Sequence, residues 1–263
     1  MKPLAIIQAR MGSTRLPGKV LRPIMGKPML WHIVKRLRYV QGLHGIVVAT
    51  SDAPADHTII QFCKDNNIVC FAGSENDVLD RFYQAALIHK GDPLLRITGD
   101  CPFVDPGLIV KLLQLFVAGQ YDHVGIATGA GAIFLDGCRF PDGLDAECFS
   151  FAVLEKAWHE ATNQSDREHV TPYIWRNPET FRLAVLKADK DYSSMRWTVD
   201  NEEDFALVSL VYEALYREGT PFLMADILRY FNEHPELVKT NQHFIGKEEY
   251  DKIWNPEQSK AVS

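Results

Sequence analysis

The chain has 263 residues, 46% hydrophobic and 24% charged, a balance that suits one large α/β core or a core with an insertion. Its formal net charge of -6 argues against a nucleic-acid binder, so any phosphate chemistry must rest on a local basic cluster. The five cysteines form no C-x-x-C pair, which speaks against zinc and disulfide frameworks. With no apolar stretch approaching the ~20 residues of a membrane span and no charged-then-apolar leader, a cytoplasmic protein is expected.

Leu4–Gln8 is an apolar run that reads as a first strand, followed by a loop rich in Gly, Ser, Arg and Pro. A helix is predicted from Pro28, because Leu30, Ile33, Val34 and Leu37 share one face. Gly45–Thr50 reads as a strand and Ala55–Asp65 as a helix with Ser51 or Asp52 available to cap it. Ile68–Phe71 is a third strand, and Leu79, Phe82, Tyr83 and Ala86 mark the next helix. Pro93–Thr98 is a fourth strand that ends in the turn Gly99-Asp100-Cys101-Pro102; a helix over Pro106–Val117 and a strand over Asp122–Ala127 follow.

This alternation predicts an α/β fold, a mainly parallel sheet with helices on both faces, whose ligands bind beyond the carboxyl ends of the strands. From 129 to 190 the alternation weakens into a glycine-rich stretch, a strand-like Leu144–Phe149, two helical patches and a strand-like Phe181–Leu186. That segment reads as an insertion closing over the sheet and a candidate oligomer contact, within a single domain of residues 1–263. A strand over Arg196–Val199 and a helix from Glu202 to about Arg217 resume the pattern, and the tail after Glu233 is polar.

The loop after the first strand, Gln8-Ala9-Arg10-Met11-Gly12-Ser13-Thr14-Arg15-Leu16-Pro17-Gly18-Lys19, packs three cations, two glycines and two hydroxyls into one connection. Glycines allow close backbone approach, and successive N–H groups in such turns form a nest for anions. Arg10, Arg15 and Lys19 can serve a triphosphate, with arginine forks suited to phosphate oxygens. Five residues separate Gly12 from Gly18, and Val20 follows Lys19, so this is neither a Walker A loop nor a dinucleotide fingerprint. A solvated basic loop is the plainer alternative.

The string resembles the signature of the cytidylyltransferases that activate sugar acids, the CMP-Kdo and CMP-sialic acid synthetase superfamily. Within it, the chain is most similar to the branch typified by spore coat polysaccharide biosynthesis protein F. QARMGSTRLPGK, GSENDVLDRF, RITGDCPFVDP, FPDGLDAECF, DREHVTPYI and RWTVDNEEDF carry the resemblance, in this order, from Ile6 to about Phe205. It implies a nucleotide-diphospho-sugar-transferase-type sheet, a homodimer, CTP and a small anionic acceptor as substrates, and Mg²⁺ as cofactor. It implies Asp100 as the first metal ligand, where a turn-forming aspartate is the alternative. Asp200 corresponds to the second; it or Asn201 could instead cap the helix at Glu202, with Asp204 completing a capping box. Arg10, Arg15, Lys19 and Asp100 are the expected catalytic set, and Gln8, Ala9, Arg10, Gly12, Ser13, Arg15, Lys19 and Ser74 the expected nucleotide-binding set. Ser74 or Asp77 could equally cap the helix that follows.

The acceptor is expected beneath the 129–190 segment. Period two places Asp145 and Glu147 on one face of a strand, and Arg139, Arg167 and His169 add groups for an acidic function. Surface helix charges account for Asp166–His169 about as well. Two rivals stand beside this reading: a glycosyltransferase using the D-x-D of Asp189-Lys190-Asp191, and a non-catalytic nucleotide sensor, which has no need of both Asp100 and Asp200.

Overall fold

The computed structural model of the chain describes residues 1–128 and 138–247; the glycine-rich stretch from 129 and the end of the polar tail lie outside the described residues. Strand β1 (Leu4–Gln8) sends alternate side chains to opposite faces, Ala5 and Ile7 into one core and Leu4 and Ile6 into the other. A strand buried on both faces requires helices on both. A short ribbon of β2 (Pro23–Ile24) and β3 (Lys27–Pro28) leads into α1 (Met29–Leu37). Then β4 (Gly45–Ser51), α2 (His57–Asp65), β5 (Val69–Gly73), α3 (Val78–His89), β6 (Leu94–Thr98) and α4 (Pro106–Gly119) follow in the expected alternation.

The chain continues through β7 (His123–Ile126), β8 (Glu147–Phe149), α5 (Phe151–Glu160), α6 (Gln164–His169), α7 (Pro172–Trp175) and β9 (Leu183–Leu186). It closes with α8 (Glu202–Leu215), α9 (Met224–Glu233) and α10 (Pro235–Val238). The main sheet has seven strands in the order β5-β4-β1-β6-β8-β7-β9. All pairings are parallel except those of β8, which runs antiparallel to both β6 and β7. Helices α1, α4, α8 and α9 bury Leu30, Ile109, Val208 and Ile227 on one face. Helices α3, α5 and α7 bury Leu79, Phe82, Leu154 and Ile174 on the other. A fully buried side chain such as Phe82 contributes roughly 2 kcal/mol through the apolar surface it removes from water.

Two expectations are corrected here. The described part of the expected insertion, residues 138–190, does more than close over the sheet: α5 and α7 cover one face, but β8 enters the sheet between β6 and β7 and β9 forms its edge. Ala146, Cys148 and Phe149 are buried because β8 has a strand on each side. The segment Arg196–Val199 is not a strand. It makes a single bridge, Asp142 to Arg196, and its remaining backbone bonds go to loops, with Trp197 N donating to Asp142 O and Val199 N to Asp100 O. Among the described residues no helix is long and apolar enough to cross a membrane.

Candidate active site

From β1 the chain crosses to β4 on one side of the sheet and returns to β6 on the other. Such a reversal opens a crevice at the carboxyl ends of the two central strands. Gln8 and Thr98, the last residues of β1 and β6, are register partners at that point. Gly99 is required just beyond, because its N–H donates to Gln8 O at 2.8 Å and a Cβ there would meet the same oxygen. A cleft of about 450 Å³ opens here.

The β1 loop forms one wall and brings Gln8, Ala9, Arg10, Gly12, Ser13, Arg15 and Lys19 to the cleft. It folds back on itself through Ser13 N and Gly18 N, which both donate to Met11 O, with Gly18 in the left-handed region. Leu16 is buried in the core and anchors the turn. Asp56 ties the loop to the neighbouring strand: it accepts from Met11 N at 2.6 Å and from the Ser51 hydroxyl at 2.5 Å. This explains why neither Ser51 nor Asp52 caps α2, as was expected; the Ser51 hydroxyl is engaged by Asp56.

Opposite the loop, Asp100 and Asp200 meet on one cation. Lys19 Nζ donates to Asp100 Oδ2 at 3.0 Å, Asp200 Oδ1 at 2.8 Å and Val199 O at 2.7 Å. Those three bonds use every donor of an ammonium. Burial alone would lower the pKa of Lys19, but the two aspartates outweigh it and hold the ammonium above its usual value. Burial likewise pushes the Asp100 carboxyl up, yet Lys19 and the Thr98 hydroxyl hold it at about 2. Asp200 is lowered against burial by the same lysine and accepts from Arg15 at 3.1 Å.

Asp200 and Asn201 have separate tasks. Asn201 occupies the N-cap position of α8, and Asp204 completes the box by accepting from Asn201 N at 3.0 Å. The Asp200 carboxylate lines the cleft instead. Arg196, 2% exposed, holds it from behind, reaching Asp200 at 2.8 Å, Asp142 at 3.1 Å and Asp204 at 3.1 Å. Gly143, at φ +103°, lets the Asp142 turn press against Trp197 and Thr198, where a Cβ would strike backbone.

The expected acceptor residues divide. Asp145 and His169 line the cleft. Asp145 accepts from Gly143 N at 2.8 Å and from the Thr128 hydroxyl, while burial raises its pKa. Glu147 lies one layer back, bonded to Arg96 at 2.6 Å, His123 at 3.0 Å and Thr171 at 3.0 Å. Arg139 and Arg167 do not line the cleft. Arg139 sits 3.8 Å from Asp191, and Arg167 grips Asp77 at 2.5 Å while donating to Trp158 O at the end of α5. Ser74 is also away from it: its hydroxyl accepts from Asp77 N in the turn that starts α3, and Asp77 caps that helix. Asp189 bonds the Tyr192 hydroxyl and Asp191 the Ser193 hydroxyl, so the D-x-D string is occupied outside the cleft.

Four residues that sequence reasoning passed over complete the site: Asp56, Arg96, Asp142 and Arg196. Arg96 carried a signal, a charged residue inside an otherwise apolar strand. Asp56 had none, because its partners Ser51 and Met11 come from separate elements. In the hard-oxygen pair Asp100 and Asp200, two carboxylates converge on one point, a donor set that suits a divalent ion whose other ligands are phosphate and water. Among the described residues no group of three or more His, Cys, Asp or Glu side chains is placed to hold an ion without such help.

A family model described as cytidylyltransferase matches residues 4–247. The chain is similar to the spore coat polysaccharide biosynthesis protein SpsF of Bacillus subtilis, with 32% identity over 242 residues, 89% of this chain and 96% of that protein. Over 125 residues it is 35% identical to 3-deoxy-manno-octulosonate cytidylyltransferase 2 of Hydrogenovibrio crunogenus, 46% of this chain and 50% of that one. It also resembles the solved structure of a cytidylyltransferase from Leptospira borgpetersenii serovar Hardjo-bovis, with a TM-score of 0.82 and 29% identity over 90% of this chain and 97% of that one.

Proposed function

The chain belongs to the cytidylyltransferase family, and from that premise we propose that it transfers CMP from CTP to a small anionic acceptor and releases pyrophosphate, in surface polysaccharide or glycoconjugate biosynthesis. The observation that carries this reading is the meeting of the β1 loop with Asp100 and Asp200 across Lys19 in one cleft. An acceptor oxygen, its proton released to solvent, attacks the α-phosphorus in line, the bond from that phosphorus to the bridging oxygen breaks, and pyrophosphate departs. No protein nucleophile is needed, so catalysis rests on positioning and on charge stabilisation. Arg10 and Arg15 hold the departing phosphates, and Lys19 keeps both carboxylates ionised and aligned. Asp100 and Asp200 would hold Mg²⁺, which supplies charge neutralisation on the triphosphate when bound.

The test is a pyrophosphate-release assay of the wild-type chain with Mg²⁺, each of the four nucleoside triphosphates and a panel of sugar acids. Release with CTP, and a fall of about a hundredfold in Asp100→Asn, is the expected result. Consumption of a nucleotide sugar, with no pyrophosphate from any triphosphate, would overturn the proposal in favour of glycosyl transfer.

A further inference from the structure

At the Lys19 end of the cleft the two carboxylates that suit a divalent ion are already engaged. Lys19, 8% exposed, commits its ammonium to Asp100 Oδ2 at 3.0 Å, Asp200 Oδ1 at 2.8 Å and Val199 O at 2.7 Å. Asp200 Oδ2 is taken as well, by Arg15 at 3.1 Å and Arg196 at 2.8 Å. Of the four oxygens, Asp100 Oδ1 alone meets no cation among the described residues, and its neighbour is the Cys101 thiol at 3.7 Å. The surrounding charges leave little excess to draw an ion in. Arg196 also answers Asp142 and the buried Asp204, and Arg10 lines the cleft from the same loop as Lys19. At the far end Arg96 is matched by Glu147, and Asp145 is bonded to Gly143 N and the Thr128 hydroxyl. His169 is kept neutral by burial, Arg96 and Arg10, against the pull of Glu168.

A bare divalent ion at this pair must therefore displace Lys19. The ammonium would be left buried with Val199 O as its remaining acceptor, and a buried charge that loses its partners is strongly destabilising. A triphosphate lifts that obstacle, because its oxygens give the ammonium other acceptors and its negative charge favours the ion. Mg²⁺ in turn prefers phosphate oxygens and water beside one or two carboxylates. We propose that Lys19 is a positioning residue that closes Asp100 and Asp200 to a bare divalent ion and opens them only when a triphosphate is present. The proposal rests on the transfer reaction set out above and adds the order in which its components are admitted. Ion and nucleotide then bind with positive coupling, and the coupling is reciprocal: each raises the affinity for the other by the same factor. Neutralising Lys19 should uncouple them by letting the ion bind alone.

The experiment is a Mn²⁺ titration of the full chain, with and without saturating CTP and with no acceptor, read by water-proton relaxation. That signal separates Mn²⁺–CTP in solution from ion held on the slowly tumbling protein. Lys19→Met should bind bare Mn²⁺ at least about tenfold more tightly than wild type, because one positive charge in contact with the pair has gone. Adding Asp100→Asn to Lys19→Met should abolish that gain, which locates the ion at the pair. With CTP present, wild type should take up Mn²⁺ as well. Should Lys19→Met fail to fold, Lys19→Gln, which keeps a donor for Val199 O, is read in the same way. Equal affinity for bare Mn²⁺ in wild type and variant overturns the proposal, as does a gain that survives Asp100→Asn. Wild type that binds CTP yet takes up no Mn²⁺ with it overturns the opening. Wild type that binds no CTP sinks the transfer reaction instead, and the arm without nucleotide still reads the closure by Lys19.

Discussion

Residues 8–19 deliver their cleft groups from one continuous turn, whereas Asp142, Asp145 and His169 come from a stretch of chain that weaves through the sheet between β7 and β9. The first wall bends mostly on itself: Met11 O gathers Ser13 N and Gly18 N and Leu16 anchors the bend, while Asp56 and the aspartates on Lys19 tie its two ends to the rest of the chain. The second depends mainly on partners far away in sequence, with one local bond from Gly143 N to Asp145. Asp142 needs Arg196, Asp145 needs Thr128, and Glu147 needs Arg96 from β6 and His123 from β7. A local wall should therefore tolerate changes one side chain at a time, losing ligand contacts but not the fold. A woven wall should couple its ligand contacts to stability.

The largest effect expected of that difference is at Arg196. Arg196→Met takes the guanidinium away from Asp142 and the fully buried Asp204, while Asp200 keeps Lys19 and Arg15, and removing one partner of a buried ion pair costs about 3–5 kcal/mol. Urea unfolding measures it; a loss below ~1 kcal/mol would break the coupling. Glu147→Gln sharpens the same point through pH. Burial raises the Glu147 pKa, but Arg96 and His123 outweigh it and hold the carboxyl at about 2 in the folded chain, below its unfolded value. Its stabilisation is therefore complete above the unfolded pKa of about 4.3 and is lost as pH falls through the folded value. The stability gap between wild type and Glu147→Gln should be widest at pH 6 and close toward pH 2; a gap independent of pH would remove Arg96 and His123 as its source.

Smaller effects separate the cap from the site. Asn201→Ala should cost about 1 kcal/mol of stability, as a lost N-cap does, and leave pyrophosphate release intact. Loss of turnover without loss of stability would return the capping role to Asp200. The smallest is Arg139→Ala, which removes only a partly exposed pair with Asp191 and should change stability by less than ~0.5 kcal/mol. A raised acceptor requirement in its kinetics would put Arg139 back at the cleft.

The same contrast governs how much could be read from the sequence. The strands β1, β4, β5 and β6 follow from short continuous apolar runs and the helices between them from period 3.6, because each element is read from residues close together in the chain. The cations and glycines of the β1 loop stand out because their function needs them adjacent. Arg196–Val199 reads as a strand from its alternating apolar residues, yet the backbone N–H groups of Trp197 and Val199 bond Asp142 O and Asp100 O in loops and not a neighbouring strand. Arg139 and Arg167 looked like acceptor ligands by composition, and pairing partners 52 and 90 residues away decide otherwise. Charge alone does not say which partner a side chain will meet. Ser74 follows the second of its two readings: a serine before a helix can serve the turn, and here its hydroxyl accepts from Asp77 N.

The central claim is that the β1 loop holds the triphosphate of CTP at the Lys19 end of the cleft. Calorimetric titration of CTP with Mg²⁺ into wild type and Arg15→Ala, without acceptor, tests it most directly. Arg15 is half exposed and, among the described residues, pairs with Asp200 alone, so its removal should leave the fold intact. The account predicts that wild type binds CTP and that Arg15→Ala binds it about tenfold more weakly, the effect of one charge-assisted contact to phosphate. Equal CTP affinity in the two chains would contradict it.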